Sequence, residues 1–161
     1  MRIVPLRFDH PDARKLNDLV QAEYTERYGS GDITPLDPAM FDPPGGLYLL
    51  AYDERGRPVA TGGWRAQGAE SDEGYLDGDA EVKRMFVVPQ ARGLGLARLI
   101  LGRLEDSARE AGRVRMVLET GTVQPEAIGL YRSSGYRMLP QDERFGVYRH
   151  SQRSRCFFKE L

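Results

Sequence analysis

Apolar residues recur along this chain at two spacings, and the spacing changes wherever glycine and proline gather. "MRIVPL" reads as a short strand broken by Pro5. Between Asp12 and Tyr28, Leu16, Leu19 and Val20 recur at helical spacing until Gly29 and Gly31 stop the pattern. "GSGDITPLDPAMFDPPGG" is dense in Gly, Pro and Asp, and predicts a loop with one helical turn near Pro38 to Phe41. "GLYLLAYDERGRPVATGGWR" predicts a hairpin, with strands over residues 47–52 and 59–64 around a turn at residues 54–57.

A polar stretch, "AQGAESDEGYLDGD", leads into the strand "AEVKRMFVV". After a glycine-rich turn, Leu96, Ile100, Leu104, Ala108 and Ala111 line one face of a long helix that Gly112 ends. "VRMVLE" is the next strand. "QPEAIGLYRSS" is a helix with Pro125 in its first turn, Glu126 near its positive end and Gly135 just past its end. "YRML" and "SRCFFKEL" close as strands. The order β-α-loop-β-β-β-α-β-α-β-β predicts a mixed α/β (α+β) fold, and 161 residues suit a single domain over residues 1–161.

Composition narrows the function classes. At 40% hydrophobic the chain can bury a sizeable core, and a net charge of -1 argues against a nucleic-acid partner. One cysteine, Cys156, excludes an internal disulfide and a multi-cysteine metal site, so no metal is expected. "MRIVPLRFDH" has no apolar run long enough for a signal peptide or a membrane span, so the expected setting is cytoplasmic with no membrane partner. His10 and His150 stand alone and predict surface or structural roles; Cys156 predicts a buried thiol. Trp64 predicts core or cleft wall, and the long helix's arginines, Arg98 included, a largely solvated face.

The chemistry gathers at "VPQARGLGLARLIL". A dinucleotide fingerprint needs a third glycine where Arg98 stands, and a P-loop needs a Gly-Lys-Ser/Thr ending that is missing. What remains is an arginine followed by small residues at a helix start, where unpaired N–H groups and a positive field suit a pyrophosphate. A turn that only swings a strand into a helix fits the same letters.

The wider stretch, "AEVKRMFVVPQARGLGLARLIL", resembles the core motif of the GNAT superfamily of acyl-CoA-dependent N-acetyltransferases, Arg/Gln-x-x-Gly-x-Gly/Ala, matched by Arg92, Gly95 and Ala97. "LETGTVQPEAIGLYRSSGY" resembles that family's second motif, and with "SRCFFKEL" the resemblance spans roughly Tyr48 to the C-terminus. It implies a mostly antiparallel central sheet with a splayed parallel strand pair and flanking helices. It implies acetyl-CoA as acyl donor, its pyrophosphate on the backbone amides of Arg92, Gly93, Leu94, Gly95, Leu96 and Ala97. The splay would leave backbone groups of Met85, Phe86 and Val87 free for the pantetheine arm and thioester carbonyl. Many relatives carry asparagine where this chain has Gln124, which leaves side-chain contacts there open.

The activity so implied is N-acetylation: an acetyl group moves directly from acetyl-CoA to a primary amine of a small molecule or peptide through a tetrahedral intermediate. An alkyl amine with a pKa of roughly 10.4 is protonated at neutral pH, so a base must take its proton. Glu81 matches the position where the family's base often sits, working directly or through a water, and alternation puts residues 81, 83, 85 and 87 on one strand face. Tyr131, in the "LY" of the second motif, matches the family's thiolate-protonating tyrosine. The bland alternatives are a solvated carboxylate and an aromatic packed on the sheet. A non-catalytic acyl-CoA-binding sensor needs neither residue, so their joint presence favours the enzyme. Glu70, Asp72, Glu73, Asp77, Asp79 and Glu81 form an acidic run that would attract a cationic amine, or is simply solvated. The resemblance places the acceptor site between Tyr24 and Gly46, and homodimers are common in the family.

Overall fold

A computed structural model describes residues 1–161. The chain runs β1 (Arg2–Pro5), α1 (Pro11–Tyr28), β2 (Gly46–Tyr52), β3 (Pro58–Gln67), β4 (Asp79–Val87), α2 (Leu96–Glu110), β5 (Arg115–Gly121), α3 (Pro125–Ser133), β6 (Arg137–Met138) and β7 (Ser154–Glu160). All strands join one seven-stranded sheet ordered β1-β2-β3-β4-β5-β7-β6. Only β4 and β5 run parallel; every other neighbouring pair is antiparallel. The predicted mixed fold with one parallel pair is the observed one.

Local chemistry sets the helix ends. His10 Nδ1 accepts from the Asp12 N–H at 3.0 Å, which gives this histidine a capping role, and Gly29 closes α1 in the left-handed region at φ 83°. The turn at Pro38–Phe41 forms as a single 3₁₀ turn capped by Asp37. α2 buries Leu96, Ile100, Leu101, Leu104 and Ala108, whereas Ala111, expected on that face, is its exposed C-cap. "YRML" contributes only the two residues of β6. No helix is long and apolar enough to cross a membrane.

The two sheet faces are covered differently. Ile100 and Leu104 of α2 and Tyr131 of α3 pack with Trp64, Met116, Leu118 and Phe157 on one face. Each such side chain withdrawn from water contributes about 1.5–3 kcal/mol. Trp64 is wholly buried, and its indole N–H donates to Ser107 Oγ at 3.0 Å. On the other face Leu16 and Val20 of α1 meet Phe41, Tyr48, Leu50 and Phe86. A third cluster, with Tyr75, Val117, Phe145 and Cys156, lies under the segment before β7.

One expectation about β4 needs correcting. Residues 81, 83, 85 and 87 do not share a face, because the register with β3 shifts between Thr61 and Gly63. The extra residue on β4 is accommodated by Arg84, which stands at φ 59°, a left-handed conformation rare outside glycine. The bulge reverses the alternation: Met85 and Val87 join Val82 on the α2 side, while Phe86 turns to the α1 side. Gly62 makes room for it, since a Cβ there would collide with Met85 Sδ.

Candidate active site

Parallel pairing between β4 and β5 covers only Asp79↔Arg115, Ala80↔Met116 and Glu81↔Val117. The join is reinforced by Arg115, whose Nε and Nη2 donate to the two Asp79 oxygens at 2.7 and 2.8 Å, and by Arg113 Nη2, which donates to the Asp79 carbonyl at 2.9 Å. Beyond it the strands part around a cleft of about 260 Å³. Residues 82–85 of β4 and 118–121 of β5 form its walls, with Gln124, Ala127 and Tyr131 from α3 and Tyr24 and Tyr28 from α1. Ser30, Gly31, Asp32, Tyr148, Ser151, Arg153 and Ser154 complete the lining.

Past the end of β4 lies the glycine turn. Gly93 and Gly95 stand at φ 83° and 78°, and no atom outside their chain neighbours approaches within 4 Å of where a Cβ would be. Gly95 is the N-cap of α2 and supplies no capping side chain. None of the N–H groups of residues 93–98 has a hydrogen-bond partner in the chain, and α2's own ladder begins with Leu99 donating to the Gly95 carbonyl at 3.1 Å. A row of free donors at the positive end of a helix suits a doubly charged anion. Gly93, Leu94 and Gly95 are exposed, Ala97 is half-buried and Leu96 is buried. Arg92 turns back from this row: its guanidinium donates to the Val87 carbonyl at 3.0 Å and to Glu23 Oε1 at 3.2 Å. That carbonyl, expected to be free, is therefore engaged. Of the three β4 residues expected beside the pantetheine arm, Met85 lines the cleft, while Phe86 and Val87 pack on opposite sheet faces.

Glu81 does not line the cleft. It is buried, accepting from Arg65 Nε at 2.9 Å, Gln67 Nε2 at 3.2 Å and the Tyr75 hydroxyl at 2.7 Å. Glu119 on β5 does line it. Burial pushes the Glu119 carboxyl up to about 7, against the downward pull of Ser154 and Lys83 and helped by the negative charges of Glu81 and Asp32. A carboxyl that titrates near neutrality in a cleft is suited to accept a proton. Sequence reasoning passed over Glu119; the signal was a carboxylate directly after the apolar run Met116, Val117 and Leu118 in "VRMVLE".

Tyr131 lies in the cleft wall with its ring edge-on to Tyr136, centroids 5.8 Å apart. Burial raises its hydroxyl above the ordinary phenol value, with a smaller push from Tyr24, so it is a proton carrier at neutral pH. Gln124 donates to the Tyr28 hydroxyl at 3.1 Å and ties the entry of α3 to the end of α1. Arg98 donates to the hydroxyls of Ser133 and Ser134 at 2.8 and 3.0 Å, which joins α2 to α3.

The acidic run lies outside the cleft, and several of its carboxylates already have partners: Asp79 pairs with Arg115, Glu81 with Arg65, and Asp77 accepts from the Ala69 N–H. From the segment 24–46, residues 24, 28 and 30–32 reach the cleft, whereas Phe41 sits in the core against Phe8 and Tyr48.

The sequence profile of the Acetyltransferase (GNAT) family matches residues 13–136. An uncharacterised N-acetyltransferase of Escherichia coli is 33% identical over 138 residues, covering 81% of this chain and 78% of its own length. An IAA acetyltransferase of Azospirillum brasilense is 52% identical over 59 residues, 37% of this chain and only 39% of that relative. A protein described as an acyl-CoA N-acyltransferase of Klebsiella pneumoniae superposes with a TM-score of 0.78 at 26% identity, over 99% of this chain and 97% of the other. With the family profile matched across most of its length and a fold shared from end to end with such a protein, the chain belongs to the GNAT family of acetyltransferases.

Proposed function

We propose that this single unit is an acetyl-CoA-dependent N-acetyltransferase acting on a primary amine of a small molecule or peptide. The observation that carries the reading is the row of unpartnered N–H groups over residues 93–98, which lies past the open end of a split strand pair. Gly93, Leu94, Gly95, Leu96 and Ala97 would hold the pyrophosphate through those amides, with Arg92 bracing the turn. The edge of β4 from Met85 to Val87 would lie along the pantetheine arm. Acetyl-CoA supplies the thioester acyl group and, on its release, a thiolate.

The chain's own groups move the protons. Glu119, in place of Glu81, takes the proton of the substrate ammonium, because its carboxyl faces the cleft and titrates near 7. Glu81 keeps a supporting role, holding Arg65, Gln67 and Tyr75 beneath the join. The freed amine attacks the acyl carbon to form a C–N bond and a tetrahedral intermediate, whose collapse breaks the C–S bond. Tyr131 donates its proton to the departing sulfur, and the second proton shed by the acylated nitrogen returns the Tyr131 phenolate to the phenol. A backbone N–H of β4 aimed at the acyl oxygen would contribute roughly 3 kcal/mol to the barrier reduction.

Thiol release from acetyl-CoA by the purified chain, measured across amino acids, polyamines, aminoglycosides and short peptides, tests the reading. Amine-dependent release is expected, and Gly95→Glu should abolish acetyl-CoA binding in calorimetry while leaving the circular dichroism spectrum intact. Unaltered binding in that variant would remove the pyrophosphate from the turn.

A further inference from the structure

Asp32, Lys83 and Arg84 meet on the cleft wall. Asp32 Oδ2 lies 3.1 Å from Lys83 Nζ and 3.6 Å from Arg84 Nη2. Its other oxygen accepts from the Thr34 N–H at 2.9 Å, the Thr34 hydroxyl at 2.7 Å and the Tyr148 hydroxyl at 3.2 Å. One carboxylate thus answers two cations. The Arg84 side chain is only 7% exposed, its remaining bond goes to the neutral Asn17 Oδ1 at 3.3 Å, and its Nε–H has no partner at all. A guanidinium this deeply buried, with one carboxylate shared between it and Lys83 and its own Nε–H unpaired, is undercompensated, and a second anion in the cleft beside the two cations would offset that. The left-handed backbone at Arg84 is a second outlier at the same residue.

The rest of the cleft has the same bias. Arg153 lies 5.2 Å over the Tyr28 ring and donates to the backbone carbonyls of Tyr28 and Arg27, both at 3.3 Å, with no carboxylate beside it. The lining therefore sets Lys83, Arg84 and Arg153 against Asp32 and Glu119. These cations do not serve the pyrophosphate, because no residue of the turn 93–97 borders the cleft. Such a site repels an acceptor with several ammonium groups and attracts one that brings an anion with its amine.

We infer that the acceptor carries a carboxylate near its reacting amine, and that Arg84 with Lys83 receives that carboxylate and sets specificity. The inference rests on the acyl-transfer reading above. It is tested with the full chain and acetyl-CoA by comparing thiol release for matched pairs, phenylalanine against phenethylamine and leucine against isoamylamine, with spermidine alongside. The amino acid of each pair should have a kcat/KM on the order of 100-fold higher, with spermidine poorest. Arg84→Met should raise KM for the amino acid by about 10- to 100-fold without changing KM for the decarboxylated amine, and Arg84→Lys should recover part of the loss. Should Arg84→Met not fold, Lys83→Gln reads the same KM ratio. Equal kcat/KM within the pairs, or spermidine as the best acceptor, would overturn the carboxylate and leave the transferase standing. Release with none of the amines, in a protein that still binds acetyl-CoA by calorimetry, would overturn the transferase reading and the carboxylate with it.

Discussion

Glu81 and Glu119 lie on the two strands that part to form the cleft, and alternation turns both away from the face covered by α2. Their surroundings differ in kind. Glu81 is held by a guanidinium, an amide and a phenol, all within 3.2 Å. Glu119 has the Cys156 thiol at 4.0 Å and no guanidinium, and burial brings its carboxyl to about 7. Desolvation favours the neutral acid, and hydrogen bonds to the anion oppose it. A carboxylate surrounded by donors is tied into the frame of the sheet, while one withdrawn from water with few donors becomes a group that can exchange a proton near neutral pH.

Five measurements press on that difference. Glu119→Gln should lower kcat by roughly 10²- to 10⁴-fold with acetyl-CoA affinity unchanged, read by single-turnover thiol release. Glu81→Gln should act on stability, costing about 3–5 kcal/mol in denaturant unfolding because Arg65 is left buried without its counter-charge, with kcat near that of the parent in the folded protein. If instead Glu81→Gln folds normally and loses kcat, the roles of the two carboxylates are reversed. Tyr131→Phe should cost on the order of 10²-fold in kcat at constant affinity for acetyl-CoA, and full activity would return it to a packing role. The mildest signature is the pH profile: kcat/KM should rise about tenfold per unit up to about 7 and then level. The same group has a stability consequence. Its carboxyl titrates above the ordinary 4.5 in the folded chain, so its contribution is fully present below about 4.5 and lost as pH rises through about 7. Glu119→Gln should therefore melt higher than the parent at pH 8 and about level with it at pH 4.5.

Much of the fold was legible because it follows from period and punctuation. Leu16 and Val20 of α1, most of the buried face of α2, the β2–β3 hairpin and the glycine stops at Gly29 and Gly112 stand where spacing put them, whereas Leu19 and Ala111 are exposed. The glycine turn was legible too as backbone geometry, since Gly93 and Gly95 take left-handed conformations and leave the N–H groups of residues 93–98 unpaired. Side-chain roles along β4 were harder to read. A period of two carries Glu81 onto one face with Met85 and Val87, and nothing in the letters "VKRMFV" marks the extra residue that reverses the count at Arg84. Glu119 was hidden for another reason: its altered titration comes from what surrounds it, and those neighbours arrive from β4, from β7 and from the loop after α1. The acidic run misled in the opposite direction, because charge adjacent in sequence is dispersed into separate ion pairs in space.

The short join between β4 and β5 has a consequence for how the molecule is divided. Everything on one side of it, β1 to β4 with α1 and α2, comes from residues 2–110, and everything on the other from residues 115–160. The sheet is thus two consecutive lengths of chain laid edge to edge, meeting over the pairs 79–81 and 115–117 with Asp79 and Arg115 as the clasp. The groups proposed for the reaction are divided the same way: the glycine turn and Arg84 belong to the first length, Glu119 and Tyr131 to the second. Neither length alone holds a complete site. The cleft is built like a subunit interface enclosed within one polypeptide, and the proposed chemistry requires that the two lengths stay docked.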